Sequence, residues 1–84
     1  MTQDRRVAVI GLGYVGLPLA ISFVEAGLQV DGVDAFTGRV AELNAGTSPI
    51  DDVSDDRLAT ALQKGLRVLS PDEADLAAAD AIFV

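Results

Sequence analysis

The sequence predicts an α/β domain built on a parallel β-sheet, and two observations support this fold class. The apolar segment Val7–Ile10 is rich in β-branched residues and has no polar interruption, which is typical of a strand buried on both faces. Similar apolar segments then alternate with helical patterns in the order β-α-β-α-α-β-α-β. This alternation favours right-handed crossovers and strand order 3-2-1-4 in a three-layer arrangement, the first half of a doubly wound sheet plus one strand.

The predicted strands and helices are joined by short connections. Strands are expected at Val7–Ile10, Leu28–Val33, Leu66–Leu69 and Ala81–Val84, after a polar lead at Met1–Arg6. Helices are expected at Tyr14–Ala26, at Thr37–Ala45, after Ser54 through Lys64, and after Ser70 through Ala78. Glycines follow the first three helices, and glycine commonly ends a helix: Gly27, Gly46 and Gly65.

The helix signals also predict which side chains face the sheet and where helices begin. In the first helix, the apolar residues Val15, Leu19, Phe23 and Ala26 recur on one face, which is therefore expected to lie on the sheet. In the second helix, Val40 and Leu43 form the inner face. In the third, the inner residues are Leu58, Ala61 and Leu62.

Three helix starts carry capping signals, and a proline complicates a fourth. Thr37 and Ser54 are expected N-caps. Ser70–Glu73 has the pattern of a capping box with proline at the first helical position. Pro18 fits the first helix if its first turn is irregular or if the regular helix begins near Leu17, and the sequence leaves these two alternatives open.

A glycine motif joins the first strand to the first helix. Gly11, Gly13 and Gly16 have G-x-G-x-x-G spacing. The first glycine permits the tight turn, the second lets a pyrophosphate approach the backbone, and the third lets the helix pack close to the strand. Free N–H groups and the positive end of the helix dipole would then face the phosphates. Because strand and helix flank the motif, it predicts a Rossmann-like dinucleotide-binding site.

An acidic residue and an arginine extend this site. Asp34 ends the second predicted strand, 23 positions after Gly11, close to the roughly 20 positions expected for the carboxylate that binds the adenosine ribose. The same carboxylate would repel a 2′-phosphate, which favours NAD over NADP. Arg39 follows five positions later and could reach the adenosine, accept a 2′-phosphate or lie on a solvated helix face.

Composition limits the other functions. The chain has 84 residues, net charge -7, no cysteine and no histidine, so it has no disulfide, no thiol nucleophile and no imidazole base. The negative charge disfavours nucleic acid and anionic membranes as partners. No apolar run is long enough to span a membrane, and no signal-peptide pattern precedes the first strand. A soluble cytoplasmic protein is expected.

The remaining charged residues predict no metal site and no catalytic group. Asp51, Asp52, Asp55 and Asp56 lack the glycine and the terminal glutamate of an EF-hand loop. We interpret them as a solvated helix start. Asp31 and the other acids have no arrangement that suggests catalysis. Arg67 lies near a helix end, where cations are expected.

Three segments resemble the N-terminal domain of the UDP-glucose/GDP-mannose dehydrogenase family. They are IGLGYVGLPLA at Ile10–Ala20, GVD at Gly32–Asp34, and RVAELNAGTSPIDD at Arg39–Asp52. The closing ADAIFV also resembles the strand before that family's V-P-T-P segment, so the resemblance covers essentially the whole chain. The LPLA segment is more similar to the UDP-N-acetylglucosamine and UDP-N-acetylmannosamine dehydrogenases than to the UDP-glucose branch.

The resemblance implies a reaction and a set of roles. The family oxidises the C6 alcohol of a UDP-sugar to a carboxylate with two NAD, through a cysteine-bound intermediate. Tyr14 and Val15 would lie along the pyrophosphate, Asp34 would bind the ribose, and Arg39 would contact the adenosine side. The family's nucleophile, other catalytic residues and UDP-sugar domain would lie beyond Val84. Residues 1–84 are therefore expected to be a partial NAD-binding domain, inactive alone and with weak affinity for NAD.

Two other interpretations remain open at this stage. The chain could be a free-standing dinucleotide-binding or interaction module without catalysis, or a domain for FAD or S-adenosylmethionine. In each case the last predicted strand, Ala81–Val84, would leave an uncovered apolar edge, so self-association through this edge is also expected.

Overall fold

The computed structural model describes residues 5–84. Residues 1–4 of the predicted polar lead lie outside this range, and Arg6 already belongs to the first strand. The strands are β1 (Arg6–Ile10), β2 (Gln29–Val33), β3 (Leu66–Leu69) and β4 (Ala81–Phe83). The helices are α1 (Gly16–Glu25), α2 (Thr37–Asn44) and α3 (Asp55–Lys64). Apart from the predicted helix before β4, every expected element is present within one or two residues of its expected bounds.

The four strands form one parallel sheet in the order β3-β2-β1-β4, which confirms the predicted topology. Ile10 lies opposite Val33, so β1 and β2 end side by side. The chain moves outward from β1 to β3 and then returns to add β4 on the other side of β1. The order therefore reverses between β1 and β4, and a crevice at such a switch point is where nucleotides bind in open α/β sheets.

The hydrophobic core lies between the helices and one face of the sheet. Alternate strand residues supply the sheet side of the core: Val7, Val9, Val30, Leu66 and Val68. The helices supply the other side, with Leu17, Ile21, Leu43 and Leu58 in the same cluster. A right-handed return from β3 to β4 would cross the opposite face, but none of residues 70–80 is buried. In the described residues only one helical layer of the expected three-layer arrangement is complete.

The predicted inner face of α1 is wrong. Its buried side chains are Leu17, Ala20, Ile21 and Val24, whereas Val15 is exposed. Leu19 and Phe23 are only partly buried, and Ala26 is exposed. The helix is apolar on most of its surface, so the pattern alone does not select one face. The first turn selects it, because α1 begins at Gly16 and packs its backbone against the glycine loop. The late start also places Pro18 in that first turn, between Leu17 and Leu19, whose N–H groups donate to the Gly13 and Val15 carbonyls at 3.1 and 3.2 Å. Pro18 has no N–H to donate to the Tyr14 carbonyl, so it costs one hydrogen bond, but at the start of a helix, where proline is best tolerated.

The ends of the helices agree with the predicted capping residues better than the buried face of α1 agrees with its prediction. After α1, Gly27 donates to the Val24 carbonyl at 2.9 Å and Leu28 donates to the Phe23 carbonyl at 3.1 Å, which forms a Schellman motif. Ser54 caps α3 as predicted, since its hydroxyl accepts the Arg57 N–H at 3.1 Å. The prediction that Thr37 caps α2 is wrong. Thr37 is the first residue of that helix, and no side chain caps its start.

The predicted helix between β3 and β4 does not form. Only half of the capping box is present, because Glu73 accepts the Ser70 N–H at 3.0 Å but the Ser70 hydroxyl also donates to Glu73 at 3.2 Å. The segment instead contains hydrogen-bonded turns and one 3₁₀ turn, Leu76–Ala78. A helix this short needs tertiary packing, and Leu76, its one large apolar residue, remains exposed.

A buried carboxylate links the three strands on the face opposite the core. Asp31 is 2% exposed. It accepts hydrogen bonds from Arg6 of β1 at 3.0 Å and from Arg67 of β3 at 2.9 and 3.1 Å. The hydrogen bonds to Asp31 raise the pKa of the Arg67 guanidinium. Arg67 therefore belongs to a cross-strand ion pair and not to the end of α3, and Asp31 has a structural explanation.

Candidate dinucleotide-binding site

The glycine loop connects β1 to α1 by a turn that only glycine accommodates well. Gly11 has a φ of 91°, in the left-handed region that disfavours other residues. Its N–H donates to the Val33 carbonyl at 2.7 Å, which anchors the loop to the end of β2. A Cβ at Gly16 would overlap the Gly11 carbonyl oxygen, so the start of α1 rests directly on the turn.

The middle of the loop leaves several backbone N–H groups available. Among residues 5–84, the N–H groups of Gly13, Tyr14 and Val15 have no hydrogen-bond partner. No side chain caps the start of α1, and its first turn contains no acidic residue. Neither a cap nor an acidic residue in the first turn of α1 therefore offsets the positive end of the helix dipole. A Cβ built on Gly13 would meet nothing within 4 Å, so the space in front of this backbone is open to a ligand.

A cleft of about 300 Å³ opens beside the loop at the switch point between β1 and β4. Its lining combines the end of β1, the glycine loop, the first turns of α1 and the end of β4. The lining residues are Val9, Ile10, Gly11, Gly13, Val15, Gly16, Leu19, Phe83 and Val84. The structure therefore brings four of the predicted site residues, Gly11, Gly13, Val15 and Gly16, together at one cleft. Tyr14 lies on the same loop with its side chain exposed.

Asp34 follows β2 and points toward the glycine loop. One carboxylate oxygen accepts the Leu12 N–H at 2.9 Å, and the other accepts the Phe36 N–H at 2.9 Å. Each oxygen keeps a further lone pair, so the carboxylate can accept more hydrogen bonds, such as those from a ribose. Asp34 thus occupies one of the loop's N–H groups and leaves those of the next three residues available.

Arg39 also contacts the loop from the side of α2. Its Nη1 donates to the Leu12 carbonyl at 2.9 Å, and its Nε lies 3.7 Å from the Glu42 carboxylate. The guanidinium is therefore partly buried against the loop. This geometry contradicts the alternative in which Arg39 lies on a solvated helix face.

Sequence reasoning missed the residue at the centre of these contacts. Leu12 is fully buried, and a Cβ at Gly32 would meet its side chain at 3.0 Å. Leu12 occupies a variable position of the motif, so the spacing signal did not single it out. Sequence reasoning did not single out Phe36 either. Its N–H donates to the Asp34 carboxylate, and its ring is exposed.

The acidic residues outside this site remain separate from it. Asp55 accepts the Ser48 N–H at 2.8 Å, and Asp51 and Asp52 are exposed. Within residues 5–84, no group of three or more acidic, histidine or cysteine side chains is arranged to hold a metal ion. Over the same residues, no helix is long and apolar enough to cross a membrane.

The parallel sheet, the glycine turn and the available N–H groups at the start of α1 define a domain of the Rossmann type. The UDP-glucose/GDP-mannose dehydrogenase family, NAD binding domain, matches residues 5–84. The chain therefore belongs to this family, which confirms the resemblance seen in the sequence.

Curated relatives support the assignment over roughly half of the chain. A UDP-N-acetyl-D-glucosamine 6-dehydrogenase from Pseudomonas aeruginosa is 54% identical over 44 residues, which are 52% of this chain and 10% of that protein. A UDP-N-acetyl-D-mannosamine dehydrogenase from Pyrococcus horikoshii is 42% identical over 52 residues, 62% of this chain and 12% of that protein. The chain thus spans only a small part of the length of these relatives.

Solved structures extend the similarity to most of the chain. A UDP-glucose dehydrogenase from Pyrobaculum islandicum superposes with a TM-score of 0.83 at 32% identity, over 94% of this chain and 19% of that one. A UDP-D-ManNAc dehydrogenase from Pyrococcus horikoshii gives 0.82 at 38% identity, over 92% of this chain and 19% of that one. These likenesses confirm the predicted Rossmann-like fold class.

Proposed function

We propose that residues 1–84 are the front part of the NAD-binding domain of a nucleotide-sugar 6-dehydrogenase, and that they hold the pyrophosphate and adenosine of NAD. The observation that carries this proposal is the run of available N–H groups on Gly13, Tyr14 and Val15, placed beside the Asp34 carboxylate. These N–H groups would bind the pyrophosphate, while Gly11 and Gly16 shape the turn that presents them. Asp34 would bind the adenosine ribose.

The residues present fit this cofactor. The open space in front of Gly13 admits a phosphate that a side chain there would obstruct. Bound NAD would supply a hydride acceptor, while the chain's own residues orient it through backbone hydrogen bonds. We place Arg39 on the adenosine side, where its hydrogen bond to the Leu12 carbonyl limits its freedom to bind a 2′-phosphate. Together with the negative charge of Asp34, this contact favours NAD over NADP.

For the substrate, we propose a UDP-N-acetylhexosamine, oxidised at its C6 alcohol to the uronate. The support is the LPLA segment after the third glycine and the names of the relatives from Pseudomonas aeruginosa and Pyrococcus horikoshii. The 84 residues contain no cysteine and no histidine, so they include neither a thiol nucleophile nor an imidazole base. We propose that this chain alone does not turn over a UDP-sugar.

Replacing Gly13 with alanine tests the cofactor site without disturbing the fold. The added methyl group meets no protein atom but enters the space proposed for the pyrophosphate, so we expect the NAD affinity to fall at least about tenfold. The unfolding midpoint should stay close to that of the unchanged chain. Calorimetric titration with NAD, NADP, FAD and S-adenosylmethionine measures both the affinity and the ligand preference.

The control is Asp56→Glu, which also adds one carbon, at an exposed position in the first turn of α3 that lies outside the candidate site. This variant should bind NAD as the unchanged chain does. Equal NAD affinity in the Gly13 variant would contradict the proposed pyrophosphate position. Turnover of any UDP-hexose or UDP-N-acetylhexosamine by the 84-residue chain would contradict the proposed inactivity.

We also propose that the 84-residue chain self-associates through β4. This strand lies at one edge of the sheet, and its side chains Ile82 and Phe83 are 47% and 40% exposed. An exposed apolar edge strand can pair with another chain, whereas β3 at the opposite edge carries the charged Arg67. Light scattering should show dimers or larger species for the unchanged chain and monomers for Ile82→Lys. A monomeric unchanged chain at high concentration would contradict this proposal.

A further inference from the structure

Two side chains hold the two peptide groups that flank Leu12. Asp34, directly after β2, binds the peptide before it, and Arg39 of α2 binds the peptide after it. Asp34 accepts the Leu12 N–H at 2.9 Å, and Arg39 donates to the Leu12 carbonyl at 2.9 Å. The Leu12 side chain is fully buried and packs over Gly32 of β2. Leu12 is therefore held by its N–H, its carbonyl and its side chain, whereas the three residues after it have available N–H groups.

Peptide planarity transmits these two contacts along the loop. The Leu12 carbonyl and the Gly13 N–H belong to the same planar peptide and point in opposite directions. A donor that holds the carbonyl therefore also sets the direction of the Gly13 N–H. In the same way, the bond from Asp34 to the Leu12 N–H sets the direction of the Gly11 carbonyl, on which the start of α1 rests.

We propose that Arg39 is a positioning residue of the glycine loop: by holding the Leu12 carbonyl, it aims the Gly13 N–H into the pyrophosphate site before nucleotide binds. This inference rests on the proposed function and adds to it a role for Arg39 that does not require contact with the nucleotide. A peptide that precedes glycine can rotate easily, because glycine tolerates most backbone conformations. The loop therefore needs an external contact to keep this orientation, and Arg39 supplies it from α2.

The Glu42 carboxylate supports Arg39 in this position. Its oxygen lies 3.7 Å from the Arg39 Nε, one helical turn along α2. The guanidinium thus lies between a carboxylate on its own helix, with which it forms an ion pair, and the loop carbonyl to which it donates. These two contacts within the protein direct the side chain toward Leu12.

The experiment compares Arg39→Met with Arg39→Lys, which retains a donor and the charge. In ¹⁵N spectra of the nucleotide-free chain, we expect Arg39→Met to shift or broaden the Leu12 and Gly13 amide signals, and Arg39→Lys to restore them in part. NAD affinity should fall about tenfold in Arg39→Met, since a hydrogen bond to a charged group is lost, and less in Arg39→Lys. The matched control is Arg57→Met, which removes an arginine paired with Glu25 in another part of the chain and should leave both readouts unchanged.

The outcomes separate this inference from the proposed function. Unchanged Leu12 and Gly13 signals in nucleotide-free Arg39→Met would overturn the positioning role, even if NAD affinity falls, because Arg39 would then act only by touching the nucleotide. Absence of NAD binding by the unchanged chain would instead overturn the proposed function. In that case, altered loop signals in the nucleotide-free variant would still support the positioning role.

Discussion

Replacing Gly16 with alanine is expected to destabilise the domain by about 3 kcal/mol or more, the size of loss caused by overpacking a rigid site. The new methyl group would overlap the Gly11 carbonyl oxygen. This oxygen is a backbone atom in a turn that is anchored to β2 through the Gly11 N–H. Relief therefore requires either the loop or the start of α1 to move away, and α1 supplies much of the core.

Gly13→Ala is the matched control for this prediction, because it adds the same methyl group to the same loop in open space. Urea unfolding followed by circular dichroism should give a large loss of stability for Gly16→Ala and a change within about 1 kcal/mol for Gly13→Ala. A similar unfolding midpoint for the two variants would show that the contact between loop and helix is not rigid. NAD affinity should fall in both variants, through displacement of the loop in Gly16→Ala and through obstruction of the proposed phosphate position in Gly13→Ala.

Replacing Asp31 with alanine is expected to cost about 2–4 kcal/mol, since removing one partner of a buried ion pair leaves the other partners without compensation. We place the loss at the lower end of the range usual for buried pairs, because the Arg6 and Arg67 side chains are 30% and 58% exposed. Water can therefore replace some of the hydrogen bonds that the two arginines donate to the carboxylate. For a domain of this size, such a loss should lower the unfolding midpoint by more than about 10 °C.

Glu25 provides the comparison for Asp31. It also receives two hydrogen bonds from one arginine, at 2.9 Å each from Arg57, but it is exposed. The hydrogen bonds to Arg57 lower the pKa of Glu25, so this pair contributes stability above the ordinary carboxyl pKa and loses it as the pH falls. Glu25→Ala should change the unfolding midpoint little at neutral pH, because exposed ion pairs contribute weakly. Equal losses for Asp31→Ala and Glu25→Ala would contradict the importance of burial.

Much of the candidate site could be predicted from the sequence, because its signals are local. The tasks of Gly11, Gly13 and Gly16 depend on neighbouring backbone, and Asp34 is placed by the length of one helix and one strand. The contact between Asp34 and Leu12 could not be predicted in this way. It depends on β1 and β2 ending side by side, which is a property of the sheet register.

The location of Arg39 is a second contact that local sequence signals could not predict. Its sequence position allowed contact with adenosine, binding of a 2′-phosphate or a solvated location. The distance from its Nη1 to the Leu12 carbonyl, 2.9 Å, rejects the last of these. That distance depends on how α2 packs beside the loop. The periodicity of apolar residues in α2 does not predict this packing.

The strands, the three helices, the sheet order and the glycine turn of this domain follow from the amino-acid sequence alone. Each of these depends on periodicity, on glycine chemistry or on the handedness of crossovers, which act over a few residues or apply to all such sheets. The three-dimensional packing was needed to find which face of α1 is buried, which arginines hold the buried Asp31 side chain, and that the segment after Ser70 forms turns. In these cases the free energy comes from partners distant in sequence, or from the lack of such partners, so local patterns could not decide them.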